Sequence, residues 1–279
     1  IFANKSFKWK NSARNNAVVT VSIIGLALKE IRFNKLLFKN DKKINVKFLN
    51  GYLLDSKNII VKSSLSSLFN HPKVNHGCIS SDNGHLILDS NDKAKLLNEN
   101  LNSQKFIKPY VGATDFINGT KRWCLWIDDK DLDEANKIQF IQDRLDKVKN
   151  YRLNKSDYKW AEKPHKFAED RHQENDALFI PTPTSERRNY YPIGYYEKGT
   201  VITGPNQVIY KPPLYFFAIL SSRMHMLWVE TVGGKLKTDL RYSISICYNT
   251  FPVPEFDDKT QNILKEISMT ILADEREPT

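Results

Sequence analysis

Several charged and hydrogen-bonding residues fall within twelve positions near the C-terminal end of this chain. Lysine and arginine pair with phosphates and with guanine, whereas carboxylate and hydroxyl groups can pair with other base edges. The spacing therefore predicts an edge that enters the major groove of a nucleic acid, with an ordinary solvated turn as the alternative. The candidate contact residues are Glu230, Thr231, Lys235, Lys237, Thr238 and Arg241.

A helix and a following strand are predicted to position this edge. The longest apolar helical pattern runs from Leu214 to about Val232, and the pair Gly233 and Gly234 ends it because glycine adopts positive φ freely. Beyond the break, apolar and polar residues alternate strictly, which indicates a half-buried strand. The alternating apolar residues are Tyr242, Ile244, Ile246 and Tyr248.

The net charge of +10 is concentrated at one end of the 279-residue chain. Residues 1–50 hold 11 Lys and Arg against 2 Asp and Glu, whereas residues 251–279 hold 3 against 7. A basic face with an acidic tail favours a nucleic-acid partner over an acidic small substrate. Hydrophobic residues make up 41% of the chain, which supports a packed core and a globular protein.

The cysteines and histidines lack the spacing of a disulfide framework or a metal site. Cys78, Cys124 and Cys247 lie far apart, and the six histidines show neither HxxxH nor HExxH spacing. We therefore expect no metal ion and a reducing, cytoplasmic location. The longest apolar run, residues 17–28, is too short for a membrane helix, so no membrane partner is expected.

Short strand patterns separated by Pro, Ser and Gly clusters predict an α+β fold with a mixed, loop-rich antiparallel sheet and packed helices. Residues 17–28 are β-branched and apolar, which indicates a strand buried on both faces. Helices are predicted from Ser90 to about Leu101, from Asp133 through Val148, and from about Asp257 to Leu272. The other strand candidates are 85–88, 122–127, 177–181, 190–196 and 207–210.

Four separated blocks carry a resemblance to a known family. They read FANKSFKWKNSARNNAVVTVSIIG from residue 2, FINGTKRWCLWI from 116, IPTPTSERRNYYPIGYY from 180 and SSRMHMLWVETVGGKLKTDLRYS from 221. In this order they resemble the C-terminal half of the MmeI-like DNA methyltransferases, which are single-chain restriction and modification enzymes. The resemblance implies an adenine-specific methyltransferase that uses S-adenosylmethionine.

The same resemblance implies an order of domains. Residues 1–28 would hold the last strand of the methyltransferase fold, and residues 29–75 would form a connector. Residues 76–252 would form the DNA target recognition domain, and residues 253–279 a short helical C-terminal segment.

The opening block is implied to lie beside the pocket that receives a flipped base, which such enzymes commonly hold against an aromatic face. Phe7 and Trp9 are the candidates for this wall, with packing at the end of the sheet as the alternative. Arg14 is a candidate DNA contact because of its charge.

The sequence SERR at residues 185–188 is a second basic candidate. Ser185 is expected to cap a turn, and Arg187 and Arg188 face opposite ways if the chain is extended, so at most one of them would reach DNA. An arginine buried in an ion pair with Glu186 or Asp176 is the alternative.

The catalytic Asn-Pro-Pro-Tyr motif of the family does not occur in this chain, because the related string KPPLY lacks an asparagine before its prolines. The fragment is therefore predicted to be inactive alone and to bind no cofactor, whereas the full-length enzyme uses S-adenosylmethionine. The predicted function is sequence-specific recognition of double-stranded DNA. The remaining partners are the missing N-terminal methyltransferase domain, with or without a nuclease domain.

Two other functions stay open at this point. The chain could be an architectural or protein-interaction module of the same kind of enzyme. It could also be the recognition domain of an RNA-modifying enzyme.

Overall fold

A computed structural model describes residues 1–10, 18–28, 34–39, 42–155 and 158–274. Most of the strands are short, because Pro, Gly and Ser clusters interrupt the chain between them. The strands are β1 (Phe2–Lys10), β2 (Val18–Gly25), β3 (Lys35–Lys39), β4 (Lys42–Val46), β5 (Asn75–His76), β6 (Ile87–Leu88), β7 (Ile107–Val111), β8 (Arg122–Leu125), β9 (Ala177–Ile180), β10 (Pro183–Thr184), β11 (Gly194–Tyr196), β12 (Val201–Ile202), β13 (Gln207–Tyr210), β14 (Gly234–Leu236) and β15 (Asp239–Arg241).

The helices vary from one turn to more than four. The regular structure of the described residues is completed by 3-10 helices and one π-helical turn. The 3-10 helices are Leu101–Phe106, Asp129–Asp131 and Tyr158–Trp160, and the π-helical turn is Ile244–Tyr248. The α-helices are α1 (Ser90–Glu99), α2 (Ala113–Asn118), α3 (Leu132–Ala135), α4 (Gln139–Leu153), α5 (Leu214–Leu220), α6 (Arg223–Val232) and α7 (Asp258–Asp274).

The described strands form small sheets with the orders β2–β1–β3–β4, β11–β9–β13–β5, β12–β7–β8–β6 and β10–β15–β14. Pairing is mostly antiparallel, and β1 with β3 and β7 with β12 are parallel pairs. This mixed arrangement of small sheets and helices confirms the predicted α+β class. In the described part of the chain, no helix has both the length and the apolar character of a membrane span.

The chain divides into two compact units. Unit 1 comprises residues 1–70, 184–189 and 224–254, and unit 2 comprises residues 71–183, 190–223 and 255–279. These units differ from the four segments implied by the family resemblance, whose boundaries stay a prediction.

Unit 2 contains the larger apolar core. One side of helix α4 supplies Ile141, Leu145 and Val148 at helical spacing, and all three are buried. The predicted helix from Asp133 is interrupted, however, because buried Ile138 is extended between α3 and α4. The predicted stripe is confirmed, and the single continuous helix is wrong.

Unit 1 has a small core beneath its first sheet, formed by Ala3, Leu37 and Val46. Strand β2 forms the edge of that sheet, and Ile24 is 54% exposed. The prediction of a strand in this region is confirmed, but its burial on both faces is wrong for the described residues. An edge strand can expose apolar side chains that a central, covered strand would bury.

The predicted single helix from Leu214 to Val232 is broken at Ser221 and Ser222 into α5 and α6. Helix α5 buries consecutive residues in unit 2, whereas α6 from Met224 belongs to unit 1 and buries one face. The break allows the two helices to meet these different packing requirements, which one straight amphipathic helix could not do.

The strand predicted from alternation at residues 242–248 is wrong. The amide of Tyr248 donates to the Ser243 carbonyl and the amide of Asn249 donates to the Ile244 carbonyl at 2.9 Å, which is the spacing of a π-turn. The neighbours Cys247 and Tyr248 are both buried, and a half-buried strand cannot bury adjacent residues.

Candidate nucleic-acid interface

The net positive charge of the chain lies in unit 1, because the charges of unit 2 nearly cancel. By sequence, unit 1 contains 18 Lys and Arg against 6 Asp and Glu, a net charge of +12, whereas unit 2 contains 24 against 26, a net charge of −2. A positive potential of this kind attracts polyanions and raises their local concentration. Unit 1 is therefore the part of the chain in which a nucleic-acid contact is expected.

An exposed hairpin in unit 1 displays the predicted contact residues. Strands β14 and β15 pair in antiparallel register, with Gly234 opposite Arg241 and Leu236 opposite Asp239. The turn consists of Lys237 and Thr238, and the buried side chain of Leu240 anchors the hairpin to the unit. The exposed side chains include those of Lys235, Lys237 and Arg241.

The glycine pair has a different structural role from the one predicted. Positive φ occurs at Lys237, at 58°, and at neither Gly233 nor Gly234. A Cβ atom at Gly233 would lie 2.5 Å from the Val229 carbonyl oxygen and 3.1 Å from the Cys247 Sγ atom. Gly233 is therefore required by close packing at the end of α6, where the helix does end as predicted.

A polar groove of about 420 Å³ lies beside the hairpin within unit 1. Three lysines from separate strands line it together with two glutamates at its sides. The other lining residues supply hydroxyl and apolar groups. The lysines and glutamates are the groups of this groove that suit a charged ligand. Its lining residues are Lys5, Ser6, Lys39, Tyr52, Leu53, Leu54, Glu186, Leu227, Glu230, Thr231, Lys235 and Leu240.

Two lysines of this groove act electrostatically on the third, Lys5. Partial burial lowers the pKa of Lys5, and the positive charges of Lys39 and Lys235 lower it further. The carboxylate of Glu230 acts in the opposite direction. Positive charge therefore exceeds negative charge around the Lys5 ammonium group, an arrangement that an anionic ligand would relieve.

A β-bulge places two of the groove residues. Asn4 pairs with Ile23 but Phe7 pairs with Val21, so β1 carries one extra residue between these positions. That extra length falls on Lys5 and Ser6, and bulges commonly re-aim side chains beside functional sites.

The structure brings three of the predicted contact residues together in the groove: Glu230, Thr231 and Lys235. The Thr231 hydroxyl donates to the Leu227 carbonyl at 2.7 Å, which fixes its orientation on α6. Lys237, Thr238 and Arg241 lie outside the groove lining, in the turn and on β15.

The SERR segment forms a turn, as predicted. The Arg187 amide donates to Ser185 Oγ and the Arg188 amide donates to the Ser185 carbonyl, both at 3.3 Å. Both arginine side chains are exposed, so the alternative of a buried ion pair is wrong. Because the segment is a turn, the argument that the two arginines face opposite ways does not apply. Glu186, between Ser185 and the arginines, lines the groove.

The two aromatic candidates lie on β1. Phe7 is half-buried, and Trp9 is 50% exposed. An exposed indole face is suited to stacking against a base, but the pocket-wall role of both residues stays a prediction. The remaining candidate, Arg14, lies outside the described residues.

Lys5, Ser6 and Lys39 are site residues that the sequence did not single out. The excess of lysine in residues 1–50 was their signal, but it did not distinguish these residues from their neighbours. Burial raises the pKa of Cys247 to about 11, which keeps it a neutral thiol, and the described residues contain no cluster suited to a metal ion.

Two protein-family models match separate segments of the chain. A protein-family model described as "MmeI, target recognition domain" matches residues 55–255, and one described as "MmeI, DNA-methyltransferase domain" matches residues 1–39. DNA methyltransferase A of Bacillus subtilis (strain 168) is 37% identical over 274 residues, covering 97% of this chain and 31% of that protein.

A solved structure of the Type IIL restriction-modification enzyme MmeI in complex with DNA is also similar. It superimposes with a TM-score of 0.88 at 31% sequence identity, covering 100% of this chain and 38% of that chain. This chain therefore spans about a third of the length of the proteins it matches.

Proposed function

The chain belongs to the family of MmeI target recognition domains, and from this premise we propose that its unit 1 reads the target sequence of double-stranded DNA. The family membership confirms the resemblance seen in the sequence. The observation that carries the proposal is the exposed hairpin β14–β15, with Lys235, Lys237 and Arg241 on a unit of net charge +12. Its relative MmeI has been solved in complex with DNA, which supports the same partner for this chain.

We assign different contacts to different parts of unit 1. The major groove admits a two-stranded ribbon, and the turn of the β14–β15 hairpin lies at one end of the three-stranded sheet β10–β15–β14. Lys237 and Thr238 in the turn are therefore proposed base-reading residues. Arg241, exposed at the other end of β15, is proposed as a further base contact, and Arg187 and Arg188 are proposed phosphate contacts. Phe7 and Trp9 are proposed to line the pocket for the flipped base.

The whole protein is proposed to be an adenine-specific DNA methyltransferase of the restriction-modification type that uses S-adenosylmethionine and acts in the cytoplasm. The residues present here do not suit that cofactor. Residues 1–39 include a single carboxylate, Glu30, and no glycine-rich loop, whereas nucleoside cofactors are commonly held by both. The catalytic and cofactor groups are therefore assigned to the part of the relatives that this chain does not cover.

Methylome sequencing of cells that express the protein tests the proposal. Wild type should methylate one adenine-containing sequence. Lys237→Ala or Arg241→Ala should change the methylated sequence if the residue contacts a base, with discrimination of about 1–3 kcal/mol at stake for each bidentate pair. Either substitution should weaken all sites alike if the residue contacts a phosphate.

The matched control is Lys149→Ala, which removes an exposed lysine of α4 in unit 2. It should leave the methylated sequence and its extent unchanged. The proposed position of the hairpin is refuted if Lys237→Ala and Arg241→Ala also behave like wild type. Tighter binding to RNA than to duplex DNA would support the RNA-recognition alternative, and no binding to either would support the architectural one.

A further inference from the structure

The groove between strand β1 and the hairpin brings three lysines together. Lys5, Lys39 and Lys235 come from β1, β3 and β14 and line one space of about 420 Å³. Lysines usually extend into water and away from one another. Here, partial burial and two neighbouring ammonium groups disfavour the charged form of Lys5.

We propose that Lys5, Lys39 and Lys235 together hold one phosphodiester of the DNA backbone. This inference rests on the proposed function and deepens it by identifying a phosphate site separate from the tip of the hairpin. A single anion between the three lysines relieves both repulsions that act on Lys5. The hydroxyl groups of Ser6 and Tyr52 line the same groove, and such groups commonly add hydrogen bonds to phosphate oxygens.

The two glutamates of the groove argue against a highly charged ligand. Glu230 acts on Lys5, and Glu186 lines the groove, so the three positive charges are opposed by two negative ones. The remaining positive charge matches the single negative charge of a phosphodiester. A terminal phosphate or a diphosphate would bring more negative charge close to these carboxylates.

The origin of the three lysines gives the site a role in positioning. Lys5 and Lys39 lie in the segment that matches the methyltransferase model, and Lys235 lies in the segment that matches the target recognition model. A phosphate bound by all three would fix the reading hairpin relative to strand β1, which carries the proposed pocket residues. Phosphate contacts set register in this way without reading sequence.

The salt dependence of duplex binding tests the proposal in the full-length protein. The logarithm of the affinity falls with the logarithm of salt concentration by about 0.9 for each phosphate neutralised on B-DNA. The triple variant Lys5→Gln, Lys39→Gln, Lys235→Gln should therefore reduce the slope by about 0.9 if the lysines share one phosphate, and by about 2.7 if each binds its own. Each single variant should reduce the slope by no more than the triple variant does.

Two controls separate this effect from net charge and from misfolding. A triple replacement of exposed unit 2 lysines, Lys95→Gln, Lys137→Gln and Lys149→Gln, removes the same charge and should keep the wild-type slope. Replacement of the three groove lysines by arginine should restore most of the slope. Circular dichroism and melting temperature should show that the glutamine variant remains folded.

The outcomes distinguish the proposal from the function on which it rests. If wild type does not bind duplex DNA at low salt, the proposed function fails. Two results would overturn the shared phosphate while wild type still binds duplex DNA. The groove variant would keep the wild-type slope of log affinity on log salt, or its slope would be reduced by about 2.7.

Inorganic phosphate, titrated at constant ionic strength, distinguishes the source of the phosphate. A rise in melting temperature of wild type but not of the groove variant, together with unchanged DNA slopes, would assign the groove to a free phosphate ligand and overturn the DNA contact. Little stabilisation by inorganic phosphate, together with the reduced DNA slope, is the result expected for a backbone contact.

Discussion

Units 1 and 2 use their basic residues in opposite ways. In unit 2, with a net charge of −2, several cations are paired with groups of the same unit, as in Arg122 with Asp115 and Arg144 with Asp92. In unit 1, with a net charge of +12, the positive charges of Lys39 and Lys235 disfavour the charged form of Lys5. The contrast suggests that paired cations stabilise the fold of unit 2, and it agrees with the anion site that we propose for the groove of unit 1.

Arg152 is the strongest example of an internal cation in unit 2. Its side chain is fully buried, and its guanidinium donates to five backbone carbonyls at 2.7–2.9 Å. These bonds connect α4 to two segments of unit 2, residues 80–81 and 160–166. The acceptors are the carbonyls of Ser80, Ser81, Trp160, Lys163 and Lys166.

The largest predicted effect is therefore on the stability of unit 2. Arg152→Met should lower the free energy of unfolding by about 4 kcal/mol or more, since unsatisfied buried groups cost about 1–3 kcal/mol each. Urea unfolding followed by circular dichroism measures it. Lys149→Met, on the exposed side of the same helix, should change stability by less than about 0.5 kcal/mol. Equal stability of the two variants would remove the contrast between the units.

A smaller loss is expected for the pair formed by Arg122 and Asp115. The buried Asp115 carboxylate accepts from Arg122 Nε at 2.7 Å, from Arg122 Nη2 at 2.6 Å and from the Gly112 amide at 2.8 Å. Arg122→Met leaves this carboxylate buried without its cation, and the expected loss is about 2–3 kcal/mol because Arg122 is itself partly exposed. The double variant Arg122→Met, Asp115→Asn removes both charges, so it should be more stable than Arg122→Met alone in the same urea unfolding experiment.

In unit 1, removing a groove lysine should raise the stability, whereas removing a paired arginine of unit 2 lowers it. Lys5→Met removes a partly buried charge from among like charges, so the melting temperature should rise by about 1–2 °C while duplex affinity falls. Differential scanning fluorimetry with and without duplex DNA measures both quantities. A fall in melting temperature would show that Lys5 stabilises the fold, as the unit 2 cations do.

The pH dependence of this effect follows from the lowered pKa of Lys5. In the window below its ordinary value of 10.5, the unfolded chain binds more protons at this position than the folded chain does. Wild-type stability should therefore gain relative to Lys5→Met as pH rises through that window, and the difference in melting temperature should narrow. A difference that widens with rising pH would contradict the assigned repulsion.

The sequence predicted the elements that depend on local pattern. The stripe of Ile141, Leu145 and Val148 followed from helical periodicity, and the charged edge at Lys235 and Lys237 followed from charge and its distance from the glycine pair. These features depend on residues close together in the chain, so a single sequence carries them.

Features that depend on packing were not predictable from the sequence. The break at Ser221 arises because α5 and α6 pack in different units, and the π-turn arises because adjacent Cys247 and Tyr248 are both buried. The bulge at Lys5 is set by its pairing with β2, and Lys39 meets the groove only through the pairing of β3 with β1. Such long-range pairing overrides local preference.

Amide hydrogen exchange of the full-length protein, with and without a duplex that carries its methylation site, tests the assignment of DNA recognition to unit 1 most directly. We predict slower exchange on DNA binding in the hairpin, Gly234–Arg241, and around the bulge at Lys5 and Ser6. Exchange in helix α4 of unit 2, Gln139–Leu153, should stay unchanged. Protection confined to unit 2, with the hairpin exchanging at the same rate in both samples, would contradict the account.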